Sequence, residues 1–254
     1  MLLLIDAGNT RIKWAVAADT GTVAGGWLAS GLVTHADAPA LIETWREFHI
    51  SRVLISNVAG PEIRATLLQL LQQAHASADI RWFESCAAAA GVRSGYRNPQ
   101  QLGCDRFASA IGARTLYPER ALIVATCGTA TTVDAIGGDG LFIGGMILPG
   151  LGLMAKSLAL NTAQLPQVGE HIEIVTPFAD NTHDAIVSGC IAAQTGAIEH
   201  AVGALEMRHG AVQCILSGGA AAMVAPHLSI PCDRVDNLVL IGLHAVAMES
   251  NPPC

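Results

Sequence analysis

Apolar positions in this chain come in short blocks separated by small polar turns. Leu2 to Ile5 is an unbroken apolar run, Asp6-Ala7-Gly8-Asn9-Thr10-Arg11 breaks it, and Ile12-Lys13-Trp14-Ala15-Val16 resumes it. A strand, a glycine-bearing turn and a second strand are predicted. The plan returns in the second half, where Leu122 to Thr126 leads into Cys127-Gly128-Thr129 and on to Ala130 to Ile136. Aligning Gly8 with Gly128 sets Asn9 on Thr129 and Asp6 on Thr126. A third apolar stretch follows in each half, Val23 to Leu28 and Leu141 to Leu148. Two halves that each open on a three-strand meander suggest duplication, with two α/β domains facing each other across a cleft. A chance likeness of two Gly-rich hairpins is the alternative.

Between these anchors the pattern is mixed α/β. Ala40 to Phe48 reads as a short helix, Val53 to Ser56 as a strand, and Pro61 to Ala74 as a helix with proline at its start. Ile80 to Phe83 is a further strand, and Asp105 to Leu116 is helical, with Phe107, Ala108, Ile111 and Ala113 on its apolar face. Pro118 marks a domain boundary. Leu151 to Leu160 and Thr182 to Met207 read as helices, Val212 to Leu216 as a strand entering Ser217-Gly218-Gly219-Ala220-Ala221, and Leu238 to Glu249 as a closing apolar helix.

Composition narrows the classes. With 254 residues, 51% hydrophobic and only 14% charged, the chain has material for a compact core and is not disordered. A net charge of −7 without a Lys/Arg block argues against nucleic acid as a partner. The seven cysteines are scattered and never spaced C-x-x-C, which supports neither a zinc site nor a disulfide framework and fits a reducing compartment. Met1 to Ile5 lacks the basic flank and length of a signal peptide, and no apolar run is long enough to span a membrane. A cytoplasmic, soluble protein is expected.

Four clusters carry candidate chemistry. A small turn such as Asp6 to Lys13 can wrap a phosphate while its carboxylate holds the accompanying metal ion, although an ordinary β-turn with an Asp cap has the same look. Gly128 to Thr132 offers hydroxyls and backbone donors to the same ligand. Ser217-Gly218-Gly219 after a buried strand lets a ring or phosphate approach the backbone, or simply makes a tight strand-to-helix turn. Gly103-Cys104-Asp105-Arg106 opens a helix. Capping is the default role of such an Asp, but a neighbouring Arg favours the ionised carboxylate that a general base needs. The preceding Gly95-Tyr96-Arg97-Asn98-Pro99 loop could line a substrate pocket. The nine histidines make no H-x-x-x-H pair, and Ser217 stands in no G-x-S-x-G elbow.

Taken together these stretches resemble the type III pantothenate kinase family of the acetate and sugar kinase/Hsp70/actin superfamily. The resemblance also takes in Gly144 to Gly150, Thr162-Ala163-Gln164-Leu165-Pro166, and Asn181-Thr182 before Asp184-Ala185-Ile186, all in family order. It implies two duplicated actin-like (ribonuclease H-like) α/β domains, here 1–117 and 118–254. The first would carry the Asp6 turn and Gly103 to Arg106, the second the Gly128 turn, the dimer-forming helices and the Ser217-Gly218-Gly219 turn on the nucleotide side. It implies ATP-dependent phosphorylation of pantothenate, the first step toward coenzyme A. Asp6, Ala7, Gly8, Asn9, Thr10, Arg11, Ile12, Lys13 and Thr129 would bind ATP, with Asp6 toward its Mg²⁺. Asp105 would be the general base; Tyr96, Gly103, Cys104, Asp105 and Arg106 would hold pantothenate. Thr182 would reach the neighbouring subunit's substrate in a homodimer.

One position departs from the family. Many members carry an aspartate two residues before the second glycine, at a K⁺ or NH₄⁺ site, where this chain has Thr126. A hydroxyl there implies a weak or rearranged cation requirement. Two rivals stay open: a regulatory or binding accessory factor on the same fold, and a kinase for another small hydroxyl substrate. Intact Asp6, Asp105, Arg106 and Thr129 favour the enzyme.

Overall fold

The structure, a computed structural model, describes residues 1–19, 25–162, 165–166 and 177–249. The chain divides into two compact units, the first of residues 1–119, 140–142 and 237–254, the second of residues 120–139 and 143–236.

The first unit is built on a five-stranded sheet. Its strands are β1 (Leu2–Ala7), β2 (Arg11–Ala17), β3 (Ala29–Thr34), β4 (Arg52–Asn57) and β5 (Asp79–Trp82), in the order β3-β2-β1-β4-β5. The apolar opening run becomes the central strand because both of its faces are covered, so Leu2, Leu3, Leu4 and Ile5 are all buried. β1 runs antiparallel to β2 and parallel to β4, in a register that sets Asp6 opposite Lys13 on one side and Ser56 on the other. The helices α1 (Leu41–Arg46) and α2 (Pro61–Ala74) supply Leu41, Trp45, Leu67 and Leu71 to the core on one face. Of the strand expected at Val23 to Leu28, residues 23–24 lie outside the described ones and Gly25 to Leu28 are not in a strand; the third described strand is Ala29–Thr34. Its alternating exposure and small residues gave a weak apolar signal. Gly31 is needed because a Cβ there would sit 2.7 Å from the Trp14 indole nitrogen.

On the other face α3 (Cys104–Leu116) packs on α7 (Leu238–Met248), which also touches β1 and β4. The chain's last helix therefore belongs to the first unit, and a single cut near Pro118 leaves it on the wrong side. A short hairpin of β6 (Ala88–Ala89) and β7 (Val92–Ser94) completes the unit, with Leu141 and Phe142 pairing beside β7.

The second unit repeats the same plan. β8 (Ala121–Cys127), β9 (Ala130–Ile136), β10 (Leu141–Pro149, in this unit from Ile143 on), β11 (Val212–Ser217) and β12 (Asp233–Arg234) are five strands of a seven-stranded sheet, in the order β10-β9-β8-β11-β12 that matches the first sheet. β8 is antiparallel to β9 and parallel to β11, as β1 is to β2 and β4. The sequence echo is thus a duplication of topology. The 28-residue α5 (Thr182–His209) covers this sheet with Ile198, Val202 and Leu205, flanked by α4 (Leu151–Asn161) and the short α6 (Ala221–Val224). Among the described residues no helix is long and apolar enough to cross a membrane. Cys104, Cys127, Cys190, Cys214 and Cys232 are free thiols.

The α3–α7 contact is a backbone approach that only glycine permits. A Cβ on Gly242 would collide with the carbonyl oxygen of Ala108, and one on Gly112 with that of Leu238. Gly242→Ala is expected to lower unfolding stability in urea by about 2 kcal/mol or more through overpacking. Gly203→Ala on α5, where a Cβ meets open space, is expected to be neutral or stabilising by roughly 0.5–1 kcal/mol.

Candidate active site

In the first unit the site forms where strands end. Asp6 is the penultimate residue of β1, and the parallel register places Ser56 beside it at the end of β4. Ser56 is fully buried, and its hydroxyl lies 3.4 Å from the Cys104 sulfur, which also reaches the Asn57 carbonyl at 3.7 Å. Those contacts hold the first turn of α3 against the sheet and bring Asp105 to Asp6. Gly103 is the N-cap of α3; a Cβ on it would lie 2.7 Å from the Asp105 carboxylate. Asp105 is therefore not the cap. It lies one residue inside the helix, and its Oδ1 accepts a hydrogen bond from the Arg106 N–H at 2.8 Å.

The two carboxyls do not sit there cheaply. Burial and the charge of Asp105 push Asp6 up to about 7, against a smaller opposing pull from Lys13 across the strand pair. Burial also raises Asp105, partly countered by the Arg106 N–H and guanidinium. With Asp105 ionised, Asp6 is the member of the pair that retains a proton near neutrality. A divalent cation suits this donor set. It would be met by a crowded carboxyl that gains from positive charge, and such ions commonly take one or two carboxylates plus phosphate oxygens. No group of three or more His, Cys, Asp or Glu side chains among the described residues forms a dedicated cage.

Arg106 is buried, and it donates to the Tyr96 hydroxyl at 3.0 Å while its guanidinium lies 5.8 Å from both the Tyr96 and Phe142 ring centroids. Tyr96 and Phe142 themselves meet edge to face. The Tyr96 loop and the Gly103 to Arg106 turn are thus one cluster. In the Asp6 turn, Asn9, Thr10 and Arg11 are exposed and Ile12 is buried. Gly8 donates its N–H to the Arg11 carbonyl at 3.1 Å, and His35 Nε2 meets the Gly8 carbonyl at 2.9 Å.

The second unit has the matching turn. Gly128 donates its N–H to the Ala130 carbonyl at 3.0 Å, so in both turns the glycine N–H serves the turn itself. Thr129 is exposed. The register sets Ser217, Thr126 and Thr132 side by side across β11, β8 and β9, and the Thr132 hydroxyl is buried without a partner. The Ser217-Gly218-Gly219 turn lies against this one. Gly218 has φ 91°, a Cβ on it would strike the Cys127 carbonyl, and Ala220 donates to that carbonyl at 3.0 Å. Thr182 is exposed at the start of α5, whose N-cap is Asn181. Ala163 and Gln164 lie outside the described residues. Sequence reading passed over Ser56, Gln194 and the buried Asp134; each lies in an ordinary-looking element, and only strand register or helix packing reveals its neighbours.

Two sheets that share one five-strand order, each with a glycine turn after its central strand, place the molecule in the actin-like fold class. Among solved structures, a Campylobacter jejuni protein described as a Baf family transcriptional activator superposes with a TM-score of 0.59 at 20% identity, over 95% of both chains. A protein from Sinorhizobium meliloti described as a 2-dehydro-3-deoxygalactonokinase gives 0.57 at 14% identity, over 96% of this chain and 97% of its own. These likenesses show the fold. In sequence, the type III pantothenate kinase family model matches residues 2–204. Type III pantothenate kinases of Herminiimonas arsenicoxydans and of Janthinobacterium sp. (strain Marseille) are 58% and 59% identical, each over the full length of both proteins. The chain belongs to the type III pantothenate kinase family.

The raised Asp6 pKa has a signed consequence for stability. An unfolded Asp6 ionises near its ordinary 3.8 and the folded one near 7. Its contribution is therefore full below about pH 4 and is lost as pH rises through 7. Asp6→Asn is expected to be more stable than wild type above pH 7, by up to about 4 kcal/mol at about 1.4 per pKa unit, with the gain vanishing toward pH 4. Urea unfolding across that range checks it.

Proposed function

We propose that this enzyme transfers the γ-phosphoryl group of ATP to the hydroxyl of pantothenate, with Asp105 as general base. The observation that carries the reading is the approach of Asp6 and Asp105 at the joined ends of β1 and α3, beside the buried Arg106. Phosphoryl transfer needs positioning, charge neutralisation and a proton acceptor, with no covalent nucleophile. Asp105 accepts the hydroxyl proton; its first-turn position and the Arg106 N–H favour the ionised form, and burial keeps it basic enough to take a proton. Asp6 would hold the nucleotide's divalent ion, which would supply neutralisation of phosphate charge. Ala7 to Lys13 bind the nucleotide, Lys13 adding a cation across from Asp6, and Thr129 takes a phosphate contact. Tyr96 and Gly103 to Arg106 hold pantothenate.

The assembly is read as a homodimer in which Thr182 reaches the neighbouring subunit's substrate. Thr182 is exposed, and α4 is an apolar helix with no buried residue, presenting Leu153, Leu158 and Leu160 to solvent. Such a face suits a second copy. The reaction is placed in the cytoplasm, where ATP is at hand. At the position of the family's cation-binding aspartate the neighbours of Thr126 are Ser217 and Thr132, so hydroxyls replace formal charge.

Two outcomes are expected. Asp105→Asn lowers pantothenate-dependent ADP release by about 10²–10⁴-fold while the protein stays folded by circular dichroism; wild-type turnover in the variant refutes the base assignment. Replacing Na⁺ with K⁺ or NH₄⁺ changes wild-type turnover little, and Thr126→Asp makes it cation-dependent. A steep, saturable rise with K⁺ in wild type contradicts the hydroxyl argument.

A further inference from the structure

Gln194 is fully buried, with zero accessible surface, in the middle of α5. Its side-chain nitrogen donates to the Pro149 carbonyl at 2.8 Å and to the Met154 sulfur at 3.2 Å, while Oε1 is buried without a partner. The carbonyl of Pro149 can only accept, so chemistry fixes which way the amide points. Pro149 ends β10, Gly150 is the N-cap of α4, and Met154 donates its N–H to the Gly150 carbonyl at 2.9 Å. One amide thus grips both ends of the first turn of α4.

That joint is pressed onto the second phosphate turn. Gly150 donates its N–H to the Thr129 carbonyl at 2.9 Å. A Cβ on Gly150 would collide with the Gly128 carbonyl oxygen and lie 2.6 Å from that of Thr129. The contact is backbone on backbone, with no side chain to absorb a shift. If the Pro149–Gly150 peptide moves, the Gly128–Thr129 turn loses its support.

We infer that Gln194 is a positioning residue for nucleotide binding: it fixes the β10–α4 joint, and the joint fixes the turn that carries Thr129. This rests on the assignment of Thr129 to the ATP phosphates. An uncharged acceptor left buried without a donor is costly, so a chain that only needed to fill this space would do better with an apolar side chain. The amide's two donors and its orphaned oxygen are explained by what the donors hold.

The test uses Gln194→Met, which keeps length and volume, removes both donors and removes the orphaned oxygen; Gln194→Ala is the harsher companion. Steady-state kinetics in the intact enzyme are expected to show KM for ATP raised about five- to tenfold and KM for pantothenate changed by less than about twofold. Amide hydrogen exchange at Gly150 is expected to accelerate. An unchanged KM for ATP with unchanged Gly150 exchange in Gln194→Met overturns the inference, and so does an equal rise in both KM values, which signals general loosening. Thr129→Ala, run in parallel, separates the two assignments. If it leaves KM for ATP unchanged, the Thr129 assignment fails, while Gly150 exchange still decides whether Gln194 holds the turn.

Discussion

Two carboxyl groups forced together at the end of a buried strand are the constraint around which the first unit is arranged. Asp6 cannot move because β1 is the central strand, hydrogen-bonded on both sides and buried on both faces. Asp105 cannot retreat because Cys104, one residue before it, is held by Ser56 and Asn57 of β4. The crowding raises Asp6 to about 7, a cost in the ligand-free state. In the proposed mechanism it is a stored preference for positive charge: a cation arriving with the nucleotide would relieve the repulsion that folding created. The rigid supports, from the Gly103 N-cap to the α3–α7 backbone contact, keep the relief from being found by simple relaxation.

The second unit shows what duplication kept and what it changed. Strand order, the parallel and antiparallel partners of the central strand, and the glycine turn are all retained. The charge is not: at the place of Asp6 stands Thr126, with Ser217 and Thr132 beside it. Neutral hydroxyls can contact phosphate without requiring a counter-ion. In the proposed mechanism the charged chemistry falls to one unit and neutral support to the other. Gln194 belongs to that second role, since its amide acts on the turn through backbone and not through charge.

How much of this was legible in the sequence follows from the range of each interaction. The central strands, the glycine turns and most helices are written in local pattern, because burial on both faces demands unbroken apolar runs and turns demand small residues. The turns and the helix start that carry the candidate site residues were legible for the same reason: Asp6 lies two residues before a glycine, Thr129 follows one, and Asp105 opens a helix. Ala29–Thr34 was misplaced since its alternation is shallow, and its real requirement is a glycine facing Trp14 from a different strand. The return of Leu238–Met248 to the first unit depends on Gly242 meeting Ala108, a contact between residues far apart in the chain. Ser56 and Gln194 escaped notice likewise: a serine at a strand end and a glutamine in a long helix gain meaning only from what register and packing put beside them.

The central claim is that the Asp6–Asp105 crowding is relieved when the nucleotide's divalent ion binds. Isothermal titration of a non-hydrolysable ATP analogue with Mg²⁺, at pH 6.5 in buffers of different ionisation enthalpy, counts the protons released on binding. The account predicts release of between about half and one proton per site, since Asp6 must give up its proton, and near-zero release from Asp6→Asn. Equal proton release from wild type and Asp6→Asn would contradict it.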